Sequence, residues 1–281
     1  MSNLKLNPIT VKINAILELP GSKSIANRVL LLAALSNGIS VVSNIPEVSE
    51  DVMLMCDALQ KLGVIFNKLS AKNGIASYQI IGCNGEFPVK SAEIFCGNSG
   101  TTIRFLCAAL AIQSGHYILT GIQRMKERPV GDLVDALRQI GADIEYIEDD
   151  AYPPLLIKPF KYNNCDRVLI SGHVSSQYIS ALLMALPILK QNLDIIIKDE
   201  LISKPYVEIT VRLLGMFGCR INLYDNADKF VSAYIFNIAN NLTLNGLDYF
   251  IEPDASSASY FLAFGALNGR VSIKHLSNNS L

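Results

Sequence analysis

Four strongly apolar segments of this chain each follow a short polar run, and these runs hold the first candidates for chemistry. Each run has a serine eleven residues before the leucine that closes its apolar segment: Ser24, Ser99, Ser175 and Ser256. An apolar segment of this length is typical of a buried helix. The first turn of a helix carries unpaired N–H groups and the positive end of the helix dipole, which together bind anions. The pattern therefore predicts anion-binding sites where these helices begin.

Three cations accompany these helix starts. Lys23 lies in the first polar run, Arg28 follows one turn later in the same predicted helix, and Arg104 has the corresponding place in the second. Because a buried unpaired cation is costly, each requires an anionic partner, either a carboxylate of the protein or a ligand. Alternatively the serines only cap their helices, an interaction worth about 1 kcal/mol. The residue pattern leaves both possibilities open.

Other common site motifs are absent from the sequence. The segment 20–24 (PGSKS) lacks the GxxxxGK[ST] spacing of a nucleotide P-loop, and no GxGxxG follows a predicted strand. The three histidines, His116, His173 and His275, are scattered along the chain. We therefore expect neither a Ser-His-Asp triad nor a metal site.

The composition limits the class of protein. The chain has 281 residues, 50% hydrophobic and only 17% charged, with a formal net charge of −1. These values exclude disorder for most of the chain and any global field that would attract nucleic acid or an anionic membrane. The longest uncharged run, 168–189, contains too many polar residues for a transmembrane helix. The first residues show no secretory signal pattern. Six cysteines without CxxC pairs favour reduced thiols, so we expect a cytoplasmic protein.

The apolar segments belong to an internal repeat. Their closing leucines, Leu35, Leu110, Leu186 and Leu267, are 75, 76 and 81 residues apart. Strand-like pieces lie between the predicted helices, so one unit of about 77 residues comprises strand, helix, strand, helix, strand and strand. We expect the first helix of every unit to be buried, because it is apolar nearly all round, and the second to face solvent on one side.

Glycines mark the ends of the second helices. Gly63, Gly141 and Gly218 follow three similar amphipathic segments and suit the C′ position, which requires a positive φ. In the fourth unit the equivalent glycine is expected near position 295–299, beyond Leu281. The sequence is therefore interpreted as ending inside a repeat.

Six motifs in order along the chain resemble one enzyme family. They are LPGSKS with Asn27 and Arg28 (19–28), GNSGTT with Arg104 (97–104), RMKERP (124–129), VSSQ (174–177), SKPY (203–206) and DASSASY (254–260). Together they resemble the 5-enolpyruvylshikimate-3-phosphate synthases. The resemblance implies an α/β fold of repeated βαβαββ units packed around buried parallel helices. It also implies a complete domain over residues 20–252 and an incomplete second domain formed by residues 1–19 and 253–281.

The resemblance implies transfer of the enolpyruvyl group of phosphoenolpyruvate to the 5-hydroxyl of shikimate 3-phosphate, with release of phosphate, on the route to chorismate and the aromatic amino acids. Neither a metal nor an organic cofactor is expected. The partners would be the two small-molecule substrates, without nucleic acid or membrane, and the protein would be a monomer.

Residue roles follow from the matched motifs. Shikimate 3-phosphate would be bound by Lys23, Ser24, Arg28, Ser175, Ser176, Gln177, Ser203 and Tyr206. Phosphoenolpyruvate would be bound by Lys23, Gly100, Arg128 and Gln177. For shikimate 3-phosphate, Ser24 and Arg28 would hold the carboxylate end, and Gln177 and Tyr206 would line the ring. The 3-phosphate would be received by Ser175, Ser176 and Ser203.

The chain departs from the family pattern in two respects. The catalytic aspartate that acts as general base in the family would lie beyond Leu281, so no catalytic residue is assigned. Phe105 stands where the family often has proline. Two alternatives stay open: an inactive fragment that binds shikimate 3-phosphate, and a UDP-N-acetylglucosamine enolpyruvyl transferase. The latter family usually has a cysteine in the loop that corresponds to residues 121–124, where this chain has none.

Overall fold

The computed structural model describes residues 11–173, 175–226 and 233–281. Residues 1–10 of the predicted 1–19 segment, Val174 of the fourth motif and residues 227–232 of the predicted 20–252 domain lie outside the described residues. The described strands are β1 (Ile13–Leu17), β2 (Ile39–Pro46), β3 (Ile65–Lys72), β4 (Ile75–Ile81), β5 (Ser91–Phe95), β6 (His116–Thr120), β7 (Ile144–Tyr146), β8 (Leu155–Ile157), β9 (Arg167–Ile170), β10 (Leu193–Ile197), β11 (Asn222–Asn226), β12 (Ala233–Ile238), β13 (Tyr249–Phe250) and β14 (Gly269–Ile273). The described helices are α1 (Lys23–Leu35), α2 (Glu50–Lys61), α3 (Gly100–Ala111), α4 (Gln123–Lys126), α5 (Gly131–Arg138), α6 (Ser176–Ala185), α7 (Lys204–Met216) and α8 (Ala255–Asn268), and a 3₁₀ turn (Leu186–Leu189) follows α6.

Two of the sheets repeat one design. Their strand orders are β5-β6-β8-β7 and β9-β10-β12-β11. In each sheet the first two strands are parallel and the remaining neighbours antiparallel. A helix connects the two parallel strands, and a second helix leads to the antiparallel pair. This arrangement confirms the predicted α/β fold of βαβαββ units.

The first unit obtains one strand from the far end of the chain. Its sheet has the order β13-β2-β4-β3, and β13 is parallel to β2, with Tyr249 opposite Val42. The chain therefore enters and leaves this part of the fold at adjacent points. The Ser22 N–H donates to the Glu252 carbonyl over 2.8 Å. The segment that follows the third unit thus returns to the start of the first unit.

The helices divide into two kinds, as predicted for the three complete units. Helix α3 is buried over its whole length, and α1 and α6 are buried except for one or two residues near their starts. Helices α2, α5 and α7 bury one face and expose the other. The glycines after these outer helices, Gly63, Gly141 and Gly218, have φ values of +92°, +101° and +87°. The prediction of positive φ at these C′ positions is confirmed.

The expectation that every first helix is buried is wrong for α8. Only Ala258 and Gly265 are buried in this helix, while Tyr260 is 78% exposed and Leu267 82%. The physical reason is the number of elements that cover it. Among the described residues, α8 packs mainly on the two-stranded parallel sheet of β1 and β14, which covers one side of the helix.

The remaining sequence expectations concern membranes and thiols. No helix in the described ranges has both the length and the apolar character needed to cross a bilayer. All six cysteines lie in those ranges and are free thiols.

Candidate functional site

A cavity of about 560 Å³ opens where five helices begin. Its walls come from the first two turns of α1 and α3, the first turns of α6, α7 and α8, and the residues just before these last three helices. All eight side chains that the resemblance assigns to shikimate 3-phosphate line it. The complete lining is Lys23, Ser24, Arg28, Thr101, Arg104, Ser175, Ser176, Gln177, Ile202, Ser203, Tyr206, Asp254 and Ser256. The starts of these helices therefore face one cavity.

Arg28 is the most deeply buried cation of the cavity, with 1% of its surface exposed. Its guanidinium donates to four neutral oxygens: Thr210 Oγ1 at 2.7 Å, the Ser24 carbonyl at 2.8 Å, Ser180 Oγ at 3.2 Å and the Tyr206 carbonyl at 3.3 Å. Burial lowers the pKa of Arg28 to about 10, and no carboxylate of the described residues offsets it. The group stays charged at neutral pH, so it favours an anion in the cavity.

Phe105, the residue that departs from the family pattern, packs against Arg28. Its ring is fully buried, and the Arg28 guanidinium carbon lies 5.1 Å from the ring centroid. A cation over an aromatic face gains electrostatic stabilisation. Helix α3 passes through position 105 without interruption. Phe105 therefore supports the cation of the neighbouring helix rather than the cavity directly.

Lys23 differs from Arg28 because it has an acidic partner. Its Nζ lies 3.0 Å from Asp51 Oδ2, and half of the Lys23 side chain is exposed. Asp51 belongs to the first turn of α2, where the helix dipole favours a negative charge. Asp51 is not among the residues that the sequence motifs indicate. A carboxylate in the first turn of an outer helix was visible, but its approach to Lys23 depends on how α1 and α2 pack.

Arg104 links α3 to α6. Its Nη1 donates to Gln177 Oε1, and its Nη2 is 3.5 Å from the Pro129 carbonyl. The guanidinium carbon lies 5.3 Å from the ring centroid of Tyr178. Burial lowers the pKa of Arg104, and its Nε has no hydrogen-bond partner among the described residues. Arg104 therefore fixes the Gln177 amide at the wall of the cavity.

The start of α6 presents hydroxyls and N–H groups together. Ser175 is the N-cap and accepts a hydrogen bond from the Gln177 N–H at 3.2 Å, so the capping alternative holds for this side chain. Ser176 is buried beside it. Asp199 tethers the preceding loop, because its carboxylate accepts from Ser171 Oγ at 2.7 Å and from a backbone N–H at 2.5 Å. This loop and the one that leads to Ser203 are therefore held together.

Ser203 has an unusual backbone conformation. Its φ is +51° and its ψ +39°, in the left-handed region that serine rarely adopts. Within the described part of the chain, its side chain makes no capping hydrogen bond to α7. Strained residues of this kind cluster at ligand sites. The Ser203 hydroxyl is thus available to the cavity, beside the 45% exposed ring of Tyr206.

Two residues predicted to bind phosphoenolpyruvate lie outside the cavity lining. Arg128 donates from Nη1 to the Asn98 carbonyl at 2.8 Å. Its guanidinium lies against Gly100, where a Cβ atom would come within 2.7 Å of Cζ and 2.9 Å of Nη1. Thr101, the next residue, lines the cavity. The structure therefore places Lys23 and Gln177 in the cavity wall, and Gly100 and Arg128 together beside it.

The site is suited to anions with several negative charges. Three cations and several helix starts face a single space, so positive potential is concentrated there. The carboxylates nearest to it are already engaged: Asp51 pairs with Lys23, and Asp254 caps α8 by accepting from the Ser257 N–H at 2.7 Å. In the described ranges, no group of three or more His, Cys, Asp or Glu side chains could hold a metal ion.

The chain is similar to known proteins in both sequence and fold. The family model for EPSP synthase (3-phosphoshikimate 1-carboxyvinyltransferase) matches residues 8–281. A 3-phosphoshikimate 1-carboxyvinyltransferase from Cupriavidus taiwanensis is 46% identical over 272 residues, which cover 96% of this chain and 60% of the relative. The enzyme of that name from Cellvibrio japonicus is 48% identical over 252 residues, or 90% of this chain and 56% of the relative.

The fold also resembles a solved structure. An EPSP synthase from Acinetobacter baumannii superimposes with a TM-score of 0.80 at 23% identity, covering 97% of this chain and 57% of that chain. The chain thus spans about 60% of the length of the curated relatives that it matches most fully.

Proposed function

Because this chain belongs to the EPSP synthase family, we propose that it binds shikimate 3-phosphate and phosphoenolpyruvate and serves in the transfer of the enolpyruvyl group between them. In this reaction the 5-hydroxyl oxygen of shikimate 3-phosphate forms a bond to C2 of phosphoenolpyruvate and loses its proton, while the C2–C3 double bond opens and C3 takes up a proton. The C2–O bond to the phosphate then breaks, and C3 loses a proton to restore the double bond. The products are 5-enolpyruvylshikimate 3-phosphate and inorganic phosphate.

One observation carries this proposal. Eight side chains from three separate motifs, chosen by resemblance, line a single cavity of about 560 Å³. They come from the starts of three helices that the sequence places far apart, so the cavity depends on the tertiary fold. A cavity rich in cations and hydroxyls fits a substrate with a phosphate and a carboxylate.

We assign the 3-phosphate to the starts of α6 and α7. Ser175, Ser176 and Ser203 would supply hydroxyls, and the α6 N-terminus would supply N–H groups and its dipole. The carboxylate of shikimate would pair with Arg28, whose buried charge has only neutral partners among the described residues. This pairing gives the buried cation its counter-ion and fixes the direction of the ring.

Phosphoenolpyruvate would bind at the Lys23 and Arg128 side of the cavity. Gly100 allows the Arg128 guanidinium to lie directly on the start of α3. Fixed cations and helix N-termini stabilise the negative charge that moves to the departing phosphate without reorganising. Losing Lys23 or Arg128 is expected to cost about 2–4 kcal/mol of transition-state stabilisation. No general base is assigned within this chain.

We further propose that residues 20–252 form the substrate-binding domain, and that residues 11–19 and 253–281 belong to a second one. The separate sheet of β1 and β14 with α8 supports this division. The adjacent entry and exit of the chain, at Ser22 and Glu252, are what an inserted domain requires.

Calorimetry tests the binding assignment. Shikimate 3-phosphate should bind the wild-type chain, and unphosphorylated shikimate should bind much more weakly, because the phosphate contacts are lost. Ser176→Ala should weaken shikimate 3-phosphate and leave the weak binding of shikimate unchanged. Ser91→Ala, on the exposed start of β5, is the matched control. Equal affinity for the phosphorylated and unphosphorylated forms would contradict the assignment.

Phosphate release tests the reaction. The chain should be assayed with both substrates, alone and with a fragment of a relative that supplies the part not covered here. Phosphate released only when shikimate 3-phosphate is present supports the transfer. Substrate binding without turnover in either mixture would favour a binding function alone. Sedimentation of the same preparation tests the expected monomer.

A further inference from the structure

The hydroxyl of Tyr178 has no role in the function proposed above, although it is buried next to the site. Tyr178 lies on α6, with 1% of its surface exposed. Its hydroxyl donates to the carbonyl of Pro129 over 2.6 Å. A buried hydroxyl with a short hydrogen bond to a loop carbonyl fixes that loop. The loop in question carries Arg128, the residue before Pro129.

Pro129 has few other means of attachment. Proline has no N–H group, so its carbonyl is its only backbone group that can form a hydrogen bond. On either side, the Arg128 N–H donates to the Met125 carbonyl at 3.1 Å and the Val130 N–H to the Ala151 carbonyl at 2.9 Å. Helix α4 is a single turn and ends at Lys126. The Pro129 carbonyl therefore ties the residue next to Arg128 to α6, in addition to the hydrogen bond from the Arg128 guanidinium to the Asn98 carbonyl.

The same carbonyl is connected to the cavity through Arg104. Its Nη2 is 3.5 Å from the Pro129 oxygen, its Nη1 donates to Gln177, and its guanidinium carbon lies 5.3 Å from the Tyr178 ring centroid. Tyr178 thus contributes the shorter hydrogen bond to Pro129 and an aromatic face for Arg104. Gln177 and Tyr178 are neighbours on α6, so one helix start contacts both the cavity and the Arg128 loop.

We propose that Tyr178 is a positioning residue that holds the Arg128 guanidinium in place through the Pro129 carbonyl. This proposal rests on the proposed role of Arg128 in binding phosphoenolpyruvate. It predicts that loss of the hydroxyl loosens the segment 124–129. It also predicts weaker binding of phosphoenolpyruvate with little effect on shikimate 3-phosphate, because the Tyr178 hydroxyl bonds to the Pro129 carbonyl and to none of the eight residues assigned to the latter.

The chain offers a matched pair of variants. Tyr178→Phe removes only the hydroxyl and keeps the ring under Arg104. Tyr117→Phe removes a hydroxyl of the same kind, because Tyr117 is fully buried on β6 and donates to the Val89 carbonyl at 2.9 Å. Tyr117 lies outside the cavity and the Arg128 loop. The control therefore measures the general cost of deleting one buried tyrosine hydroxyl.

The first readout needs no ligand. Trypsin cleaves after arginine and lysine but not before proline, so Arg124 and Lys126 are its sites in this segment and the Arg128–Pro129 bond is not. With products identified by mass spectrometry, Tyr178→Phe should raise cleavage at these two sites at least about fivefold relative to cleavage elsewhere, as expected for one lost hydrogen bond. Tyr117→Phe should leave this ratio at the wild-type value. Equal ratios in the two variants overturn the proposal.

The second readout is calorimetry with phosphoenolpyruvate in the presence of saturating shikimate 3-phosphate. Tyr178→Phe should raise the Kd for phosphoenolpyruvate by about fivefold or more, with the Kd for shikimate 3-phosphate within twofold of wild type. Parallel losses for both ligands, or no loss for phosphoenolpyruvate, overturn the positioning role. If the wild-type chain binds neither ligand, the proposed function fails, and the cleavage ratio alone decides whether Tyr178 fixes the loop.

Discussion

Replacing Arg28 with methionine tests whether the buried cation serves the ligand or the fold. Methionine keeps an unbranched chain of similar reach in the core and removes the charge. Arg28 is 1% exposed, and its guanidinium contacts neutral oxygens. Thr210 and Ser180, two of its partners, also hydrogen-bond to each other at 2.8 Å. These two hydroxyls therefore keep a partner when the guanidinium is removed.

The structure indicates how much this replacement should change the stability of the fold and the binding of shikimate 3-phosphate. Because one pKa unit corresponds to about 1.4 kcal/mol, the fall from 12.5 to about 10 means that burial disfavours the charged form by about 3 kcal/mol. Removing the charge recovers this cost, while the lost hydrogen bonds cost a similar amount. We expect the free energy of unfolding to change by less than about 2 kcal/mol. Binding of shikimate 3-phosphate should lose about 2–4 kcal/mol, or roughly 30- to 1,000-fold in Kd.

The assay combines urea unfolding of the ligand-free chain with calorimetry of shikimate 3-phosphate. A ligand at about 100 times its Kd stabilises the folded state by about 2.7 kcal/mol, so thermal unfolding with and without ligand gives an independent measure. Arg167→Met is the matched control, because this exposed arginine on β9 pairs only with Asp166 among the described acids. It should leave the affinity unchanged.

Two results would refute the reasoning about Arg28. An affinity within threefold of wild type would show that its charge does not face the ligand. A loss of more than about 4 kcal/mol in the free energy of unfolding, without a larger loss in binding, would show that the cation is part of the core's own stability.

Three further predictions follow from other parts of the structure. Gly100→Ala should force the Arg128 guanidinium to move by about 1 Å and weaken phosphoenolpyruvate binding about tenfold or more, with shikimate 3-phosphate within twofold; calorimetry of both ligands checks this, and an equal loss for both would contradict it. Hydrogen bonds from Lys68 and Tyr78 lower the pKa of Glu47, so Glu47 stabilises the fold above its ordinary pKa of 4.5 and this contribution disappears as the pH falls through the lowered value. Glu47→Gln should therefore reduce the urea midpoint more at pH 7 than at pH 3, and an equal reduction at both would be evidence against the pair. Burial raises the pKa of four thiols to about 12, those of Cys56, Cys96, Cys107 and Cys219. At pH 8 a disulfide reagent should therefore label these thiols only after unfolding. Rapid labelling of the native chain would count against the core packing.

The repeat made much of the fold predictable from the sequence. The spacing of apolar segments gave the unit of strands and helices, and the glycines at 63, 141 and 218 gave helix ends with positive φ. These features are local, because a buried helix or a C′ glycine is recognised from its own neighbours. The serines and cations at the helix starts were likewise visible. Only the tertiary structure shows that they face one cavity.

Other features depend on contacts between distant segments, and the sequence alone did not reveal them. The ion pair of Lys23 and Asp51 joins two helices, and the hydrogen bond from Tyr178 to Pro129 joins a helix to a loop. The predicted burial of α8 was wrong, because its sequence is as apolar as the sequences of the buried helices. In the described structure fewer elements cover α8, and the residues of a helix do not encode how many elements pack on it.

The far-end origin of β13 has a consequence for the order of synthesis. Tyr249 pairs with Val42, 207 positions earlier, so at about 5–20 residues per second roughly 10–40 s pass on the ribosome between the two. During that interval β2 keeps one edge without its native neighbour, and an unpaired strand edge is where nascent chains associate wrongly. Among the three units, the first to be translated is therefore the last to be completed, and its β2 edge gains its native neighbour only when residues 249–250 emerge.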